Sequence, residues 1–171
     1  MRSTIGIDIV APADLVFRLA RDVERWPSLL PHYLRVDVER RNPDGSLITR
    51  MVARRSIVPA LGLGLPVAWR SRTWSEPEAR RLRFEHRGGA TNGMSVTWRI
   101  EARGEGCHVA IEHDFRPRIA AWAGIVDRLF VRPIANRTLG SFKAIAEAVA
   151  AEGYAGSEPF GSPPGTSSAP S

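Results

Sequence analysis

The chain of 171 residues has little lysine, cysteine or tyrosine and no long apolar run. Lys143 is its one lysine, so the net charge of +6 is carried by arginine. A GC-rich coding sequence accounts for such a bias more economically than a function does, and net charge speaks to solubility and non-specific binding, not to fold. Cys107 stands alone, which excludes a disulfide framework. No stretch approaches the roughly 20 continuous apolar residues of a membrane-spanning helix. Met1-Arg2-Ser3-Thr4 lead into a strand pattern with no apolar signal region, so a cytoplasmic location is expected. The sequon Asn136-Arg137-Thr138 is then without consequence. His32, His86, His108 and His113 have no cysteines or paired carboxylates at ligand spacing, so no metal site is expected. No serine sits in a nucleophile elbow. Gly62-Leu63-Gly64 has the wrong spacing for a nucleotide loop, and no helix follows it. No internal repeat is visible.

What is there is ordinary for one globular core: 43% hydrophobic and 25% charged residues. Thr4–Val10 alternates Ile5, Ile7 and Ile9 against Thr4, Gly6 and Asp8, a strand with one buried face. Pro12-Ala13-Asp14 opens a short helix with Leu15, Val16, Leu19 and Ala20 on its apolar side. Val23–His32 holds Pro27 and Pro31, leaving room for about two helical turns. Six strands follow: Tyr33–Arg41, Ser46–Ile57, Val67–Ser75, Arg80–Arg87, Met94–Arg103 and Cys107–Phe115. Turn chemistry separates most of them, as at Asn42-Pro43-Asp44-Gly45 and Gly104-Glu105-Gly106. Tight turns make neighbours antiparallel. Arg118–Glu152 is the one long helical pattern, ended by Gly153. Pro133 interrupts it with a kink, so that 118–131 reads as a lid-like piece and 134–152 as the part the sheet grips. Asn136, just past the kink, faces either solvent or the interior. Residues 1–152 form the domain, and 153–171 read as a disordered tail.

Period-two parity sorts the strands into faces. Val67, Trp69, Ser71 and Thr73 point inward, as do Leu82, Phe84 and His86, then Met94, Val96, Trp98 and Ile100, then Val109, Ile111, His113 and Phe115. This inner face is apolar and aromatic with a few polar exceptions, which suits a small-molecule pocket. A dry core with hydrogen-bonded histidines is the plainer alternative. Trp74 falls on the outward side, so either a bulge turns it in or its ring lies on the surface. The outer face carries Arg70, Arg72, Arg81, Arg83, Arg87, Arg99 and Arg103, without the interleaved aromatics of a nucleic-acid surface. Ile57–Pro66, IVPALGLGLP, reads as an apolar loop. It is a cap over its own cavity, a gate, or an exposed tip, built on Leu61, Leu63 and Leu65, for transient contact with a membrane or partner.

Strand, two short helices, six strands and one long helix is an α+β order that resembles the helix-grip (START-like, Bet v 1-like) fold. Trp26-Pro27-Ser28-Leu29 with Tyr33, the AWRSRTWSEP run of the fourth strand, Val96-Thr97-Trp98 and Glu112–Phe115 resemble the polyketide cyclase/dehydrase branch, its aromatase/cyclases in particular. The resemblance covers residues 4–150. It implies a seven-stranded curved antiparallel sheet around the C-terminal helix and a hydrophobic ligand in an internal cavity, with no cofactor. It places Trp26, Tyr33, Trp69 and Trp98 at aromatic pocket positions. The parity reading adds Ser71, Thr73, Phe84 and Ile111 as ligand-facing, and Asn136 joins them from its place just past the kink. The family's pocket arginines fall on Thr73 and His86, and a family tryptophan becomes Ile111. His86, His113 and Tyr33 are then the candidate catalytic groups for cyclisation and dehydration of a poly-β-ketone. Non-catalytic carriage of a quinone or lipid, as in the coenzyme-Q-binding branch, is the alternative. Oligomeric state has no signature in the sequence.

Overall fold

The computed structural model describes residues 1–58, 63–88, 91–116 and 120–153. Seven strands pair in the order β1-β7-β6-β5-β4-β3-β2, antiparallel throughout. They are β1 (Arg2–Ile9), β2 (Tyr33–Arg41), β3 (Leu47–Val58), β4 (Leu63–Glu76), β5 (Arg81–Arg87), β6 (Ser95–Arg103) and β7 (Gly106–Asp114). Helix α1 (Ala13–Arg21), a 3-10 turn (Val23–Arg25) and the four-residue α2 (Trp26–Leu29) follow β1. The curved sheet holds a C-terminal helix against its inner face, the helix-grip, START-like architecture that the element order implies. The expected tail lies, beyond Gly153, outside the described residues.

Alternation explains the strands. In β7 every second residue is buried, from Cys107 through Val109 and Ile111 to His113. In β5, Leu82 and Phe84 are buried while Arg81 and Arg83 are half-buried on the other side. β1 and β7 lie so close at their turn end that Gly106 is required there: a Cβ would collide with the carbonyl oxygen of Ile9. The outer arginines face neighbouring acids. Arg70 bonds Glu39 at 2.9 Å, Arg72 bonds Asp44 at 2.6 Å, and Arg99 bonds Glu101 at 2.6 Å and Glu112 at 3.1 Å. Such exposed pairs contribute about 0–1 kcal/mol each. β4 pairs with β5 in unbroken register from Arg70 to Glu76. Trp74 therefore has no bulge to turn it in, and its ring lies outside with the Arg72 guanidinium 5.4 Å over it.

Two sequence expectations change. The segment 57–66 is mostly strand: β3 runs to Val58 and β4 begins at Leu63, with residues 59–62 outside the described part. Its proline does not break the ladder, because Arg54–Pro66 pairs on the β3 side while β5 joins β4 only from Arg70 onward. On that locally free edge the missing N–H of Pro66 costs no inter-strand bond. Leu65 is 54% exposed there.

The helix, secondly, is continuous through Pro133. Ala120–Val126 (α3) passes through a π-helical turn at Asp127–Val131 into Arg132–Ala151 (α4). The N–H of Arg132 reaches back to the carbonyl of Asp127, five residues earlier. The wider turn takes up the clash and the lost donor that a proline imposes, in place of a break. α4 then presents Ala135, Thr138, Leu139, Phe142 and Ala146 to the core. Phe142 is 1% exposed, with ring contacts to Trp98 at 5.3 Å and Trp26 at 5.9 Å. Phe142→Ala should therefore cost about 3–5 kcal/mol in urea unfolding, whereas Val10→Ala, at a site 70% exposed, should stay within about 0.5 kcal/mol.

Candidate functional site

Between the sheet and α4 lies a cavity lined by aromatic rings, two histidines and aliphatic side chains. Trp26 is its hub. The indole contacts Tyr33 at 5.0 Å, Trp98 at 5.4 Å and Phe84 at 5.7 Å, with interplanar angles that range from tilted to edge-on. Its one polar atom is satisfied, since Nε1 donates to the carbonyl of Ala20 at 3.0 Å. α2 exists to deliver this ring: Pro27 sits in its first turn, and the N–H of Leu30 closes on the carbonyl of Trp26 at 2.7 Å. On the opposite wall Trp69 stacks on His86, 5.7 Å between centroids and 15° from parallel. Ile111 and His113 from β7, and Ile134, Ala135 and Thr138 from α4, close the space. It encloses about 80 Å³. That is room for several waters and below the roughly 300–1,000 Å³ of sites for drug-sized ligands, so a ligand of two or more rings enters only as a wall moves outward.

Of the expected site residues, Trp26, Tyr33, Trp69, Phe84, His86, Trp98, Ile111 and His113 all border this cavity. Ser71, Thr73 and Asn136 do not. Ser71 and Thr73 are buried, as parity implies, but spend their hydroxyls on Thr49: the three oxygens lie 3.1 to 3.3 Å apart. Asn136 is exposed, because two helical residues separate it from the inward face that carries Ile134 and Thr138. Parity and spacing missed Met51, Thr91, Thr138 and Val131 on the lining. Thr138 was legible in principle, four residues from Ile134 and from Phe142 in the helix's apolar stripe.

The polar groups are all neutral at pH 7. Burial lowers the pKa of His86 to about 3, and a charge on His113 would push it the same way. Burial lowers His113 to about 4, although Asp127 and the carbonyl of Ser3 pull it partly back. His32, behind the wall, falls to about 4 through burial, with Arg137 adding to the effect. Burial raises the Tyr33 phenol above its ordinary range. His86 Nδ1 pairs with Thr91 Oγ1 at 2.8 Å. Nδ1 of His113, Nδ1 of His32 and Nε1 of Trp69 are sealed from solvent with no partner among the described residues.

These histidines set a pH dependence. In the unfolded chain they take up protons near pH 6.5; folded, they resist until about pH 3–4. The unfolded state binds more protons in between, so stability falls as pH drops below 6.5 and the slope ends near the folded values. Urea midpoints should decrease from pH 7 to pH 5, above the range of the carboxylates. A level midpoint over that interval contradicts neutral burial of the imidazoles.

Fold and cavity together define a helix-grip domain built around an internal aromatic site. The chain belongs to the polyketide cyclase/dehydrase and lipid transport family, whose model matches residues 2–149. Among solved structures, the Zhui aromatase/cyclase from Streptomyces sp. R1128 is similar with a TM-score of 0.74 at 19% identity, over 90% of this chain and 98% of that one. The di-domain ARO/CYC BexL from the BE-7585A biosynthetic pathway gives 0.69 at 26% identity, over 88% of this chain and 47% of that one, so this chain spans about half its length. A START superfamily protein from Mycobacterium smegmatis gives 0.68 at 13% identity, over 86% and 98%. No helix among the described residues is long and apolar enough to cross a membrane.

Proposed function

We propose that the protein binds a flat, polyketide-like molecule in this cavity and promotes its cyclisation and dehydration by proton transfer, without a cofactor. The observation that supports this most directly is the bare Nδ1 of buried His113 on a wall of aromatic rings. In the tautomer that carries its proton on Nε2, the unpartnered Nδ1 keeps a lone pair that can act as base. In this scheme Nδ1 takes a proton from a methylene between two carbonyls, and the resulting enolate carbon attacks a ketone of the same chain. Tyr33 or His86 protonates the new alkoxide and, so deprotonated, takes the second α-proton. The His113 imidazolium gives its proton to the departing hydroxyl, which leaves as water, and a ring double bond remains. The rings of Trp26, Trp69 and Trp98 serve by folding the chain so that the two carbons meet.

With Thr73 in place of a guanidinium, no fixed cation polarises the ketone, and a buried base of pKa about 4 is weak until an enolate beside it stabilises its charged form. That combination favours a second reading, binding and carriage of a hydrophobic aromatic ligand without turnover; similarity to aromatase/cyclases and the family's lipid-transport members supports both. A synthetic tri- or tetra-β-ketone followed by the rise of aromatic absorbance separates them. Catalysis predicts acceleration by the wild type and a loss of about 10²-fold or more in His113→Ala, with smaller losses in His86→Ala. Saturable quenching of tryptophan fluorescence with no turnover establishes the carrier reading instead.

A further inference from the structure

The antiparallel order brings two exposed apolar segments to one end of the sheet. β4 starts at that end and β7 finishes there, since Arg70 faces Arg87, Glu85 faces Ser95, and Ser95 faces Asp114 along the ladder. The first segment is the start of β4. β4 joins β5 only from Arg70 onward, so the β3–β4 hairpin projects past its neighbour. Leu65 lies on the same side of β4 as Val67 and Trp69, which line the cavity, yet it is exposed. The second segment is α3 with the π turn, which follows β7. Trp122, Ile125 and Leu129 are exposed there, and their spacing of three and four residues sets them in one stripe. Val131, two residues further on, lines the same cavity as Val67.

Both segments are basic. From Leu47 to Ser75 the sequence holds five arginines and no Asp or Glu; from Phe115 to Phe142 it holds five more and one acid, Asp127. Arg132 takes the Asp127 carboxylate at 2.8 Å, and Arg2 and Arg116 take Asp114, at the end of β7, at 3.4 and 3.6 Å. Arg54, which faces Pro66 in the ladder, and Arg128, between Ile125 and Leu129, are exposed with no carboxylate in ion-pair reach among the described residues. An apolar stripe bordered by open guanidinium groups suits the boundary layer of a bilayer with acidic headgroups: the apolar side chains enter the acyl edge while arginine stays with phosphate. An acidic protein would match the charge. The apolar residues, however, sit on two separate elements, a hairpin and a helix, and a fluid surface meets both without a matching shape.

We infer that this end of the molecule docks on an anionic lipid surface, through Leu65 on the hairpin and Trp122, Ile125 and Leu129 on the helix, with Arg54 and Arg128 among the headgroups. The contact goes beyond the proposed reaction and does not depend on it. Because Val67 and Val131 adjoin the docking residues, an apolar ligand enters the cavity from the bilayer edge without crossing bulk water.

Vesicle flotation with the full chain and no added ligand tests this. Vesicles of phosphatidylcholine with about one-third phosphatidylglycerol should carry the protein, vesicles of phosphatidylcholine alone should carry far less, and about 0.5 M salt should release it. Combining Leu65→Ser, Ile125→Ser and Leu129→Ser should weaken binding about tenfold or more, and Arg54→Gln and Arg128→Gln about fivefold each. Val10→Ser, at an exposed site beyond Ile9 at the other end of the sheet, should leave it unchanged, with thermal melts confirming that each variant is folded. Lipids brominated on the acyl chain should quench a fluorescence component that Trp122→Phe lacks. No flotation, flotation indifferent to lipid charge, or flotation that the triple serine variant retains in full overturns the inference and leaves the cavity reading standing. Retention on immobilised polyglutamate without vesicle binding overturns it too, and assigns the face to an acidic protein.

Discussion

The indole of Trp26 is pinned at one atom and packed against four other rings. Its N–H on the carbonyl of Ala20 ties it to the end of α1, while Tyr33, Phe84, Trp98 and Phe142 surround its faces and edges from β2, β5, β6 and α4. Among the ring contacts of the described residues, no other ring takes part in so many. Aromatic pairs contribute about 0.5–1.5 kcal/mol beyond their buried area, and here four of them converge on one ring. The geometry of the cavity depends on that convergence: α2 is only four residues long and has little helical stability of its own, so the ring holds α2 in place as much as α2 delivers the ring.

Around this apolar frame the polar groups are few and each is constrained by what it must do without. Burial keeps the three inner histidines neutral, which removes charge from the cavity and leaves recognition to hydrogen-bond direction. Thr138 is one such group, because its single oxygen bonds both the carbonyl of Ile134 and the ring of His32. The same helix carries the π turn at Asp127–Val131 immediately before Pro133. Val131, the last residue of that turn, lines the cavity, so an irregular stretch of backbone borders the ligand space, and π turns are frequent at functional sites.

Much of this was legible in the sequence, and the misses have physical causes. Parity identified the inward residues of β4 to β7 because one face of the sheet is buried and the other carries arginine. Parity cannot tell a residue that borders a cavity from one that packs beside it, which is why Ser71 and Thr73 looked ligand-facing: their partner Thr49 lies across the sheet, 22 and 24 residues away. Asn136 drew attention as the polar residue after Pro133, but it lies roughly 200° around the helix from Ile134. His32 left no pattern at all, since it sits in the turn between α2 and β2 and meets Thr138 only through the tertiary fold. The segment 57–66 misled through composition: its glycines and prolines signalled a loop, although Gly64 and Pro66 lie within β4.

The proposed function depends on an aromatic cavity that holds a flat aromatic ligand. Native mass spectrometry of the protein purified from its own host tests that most directly. The expected result is a bound aromatic species that is lost on mild activation. A phospholipid or a fatty acyl chain in that place, or bare protein alone, would contradict it.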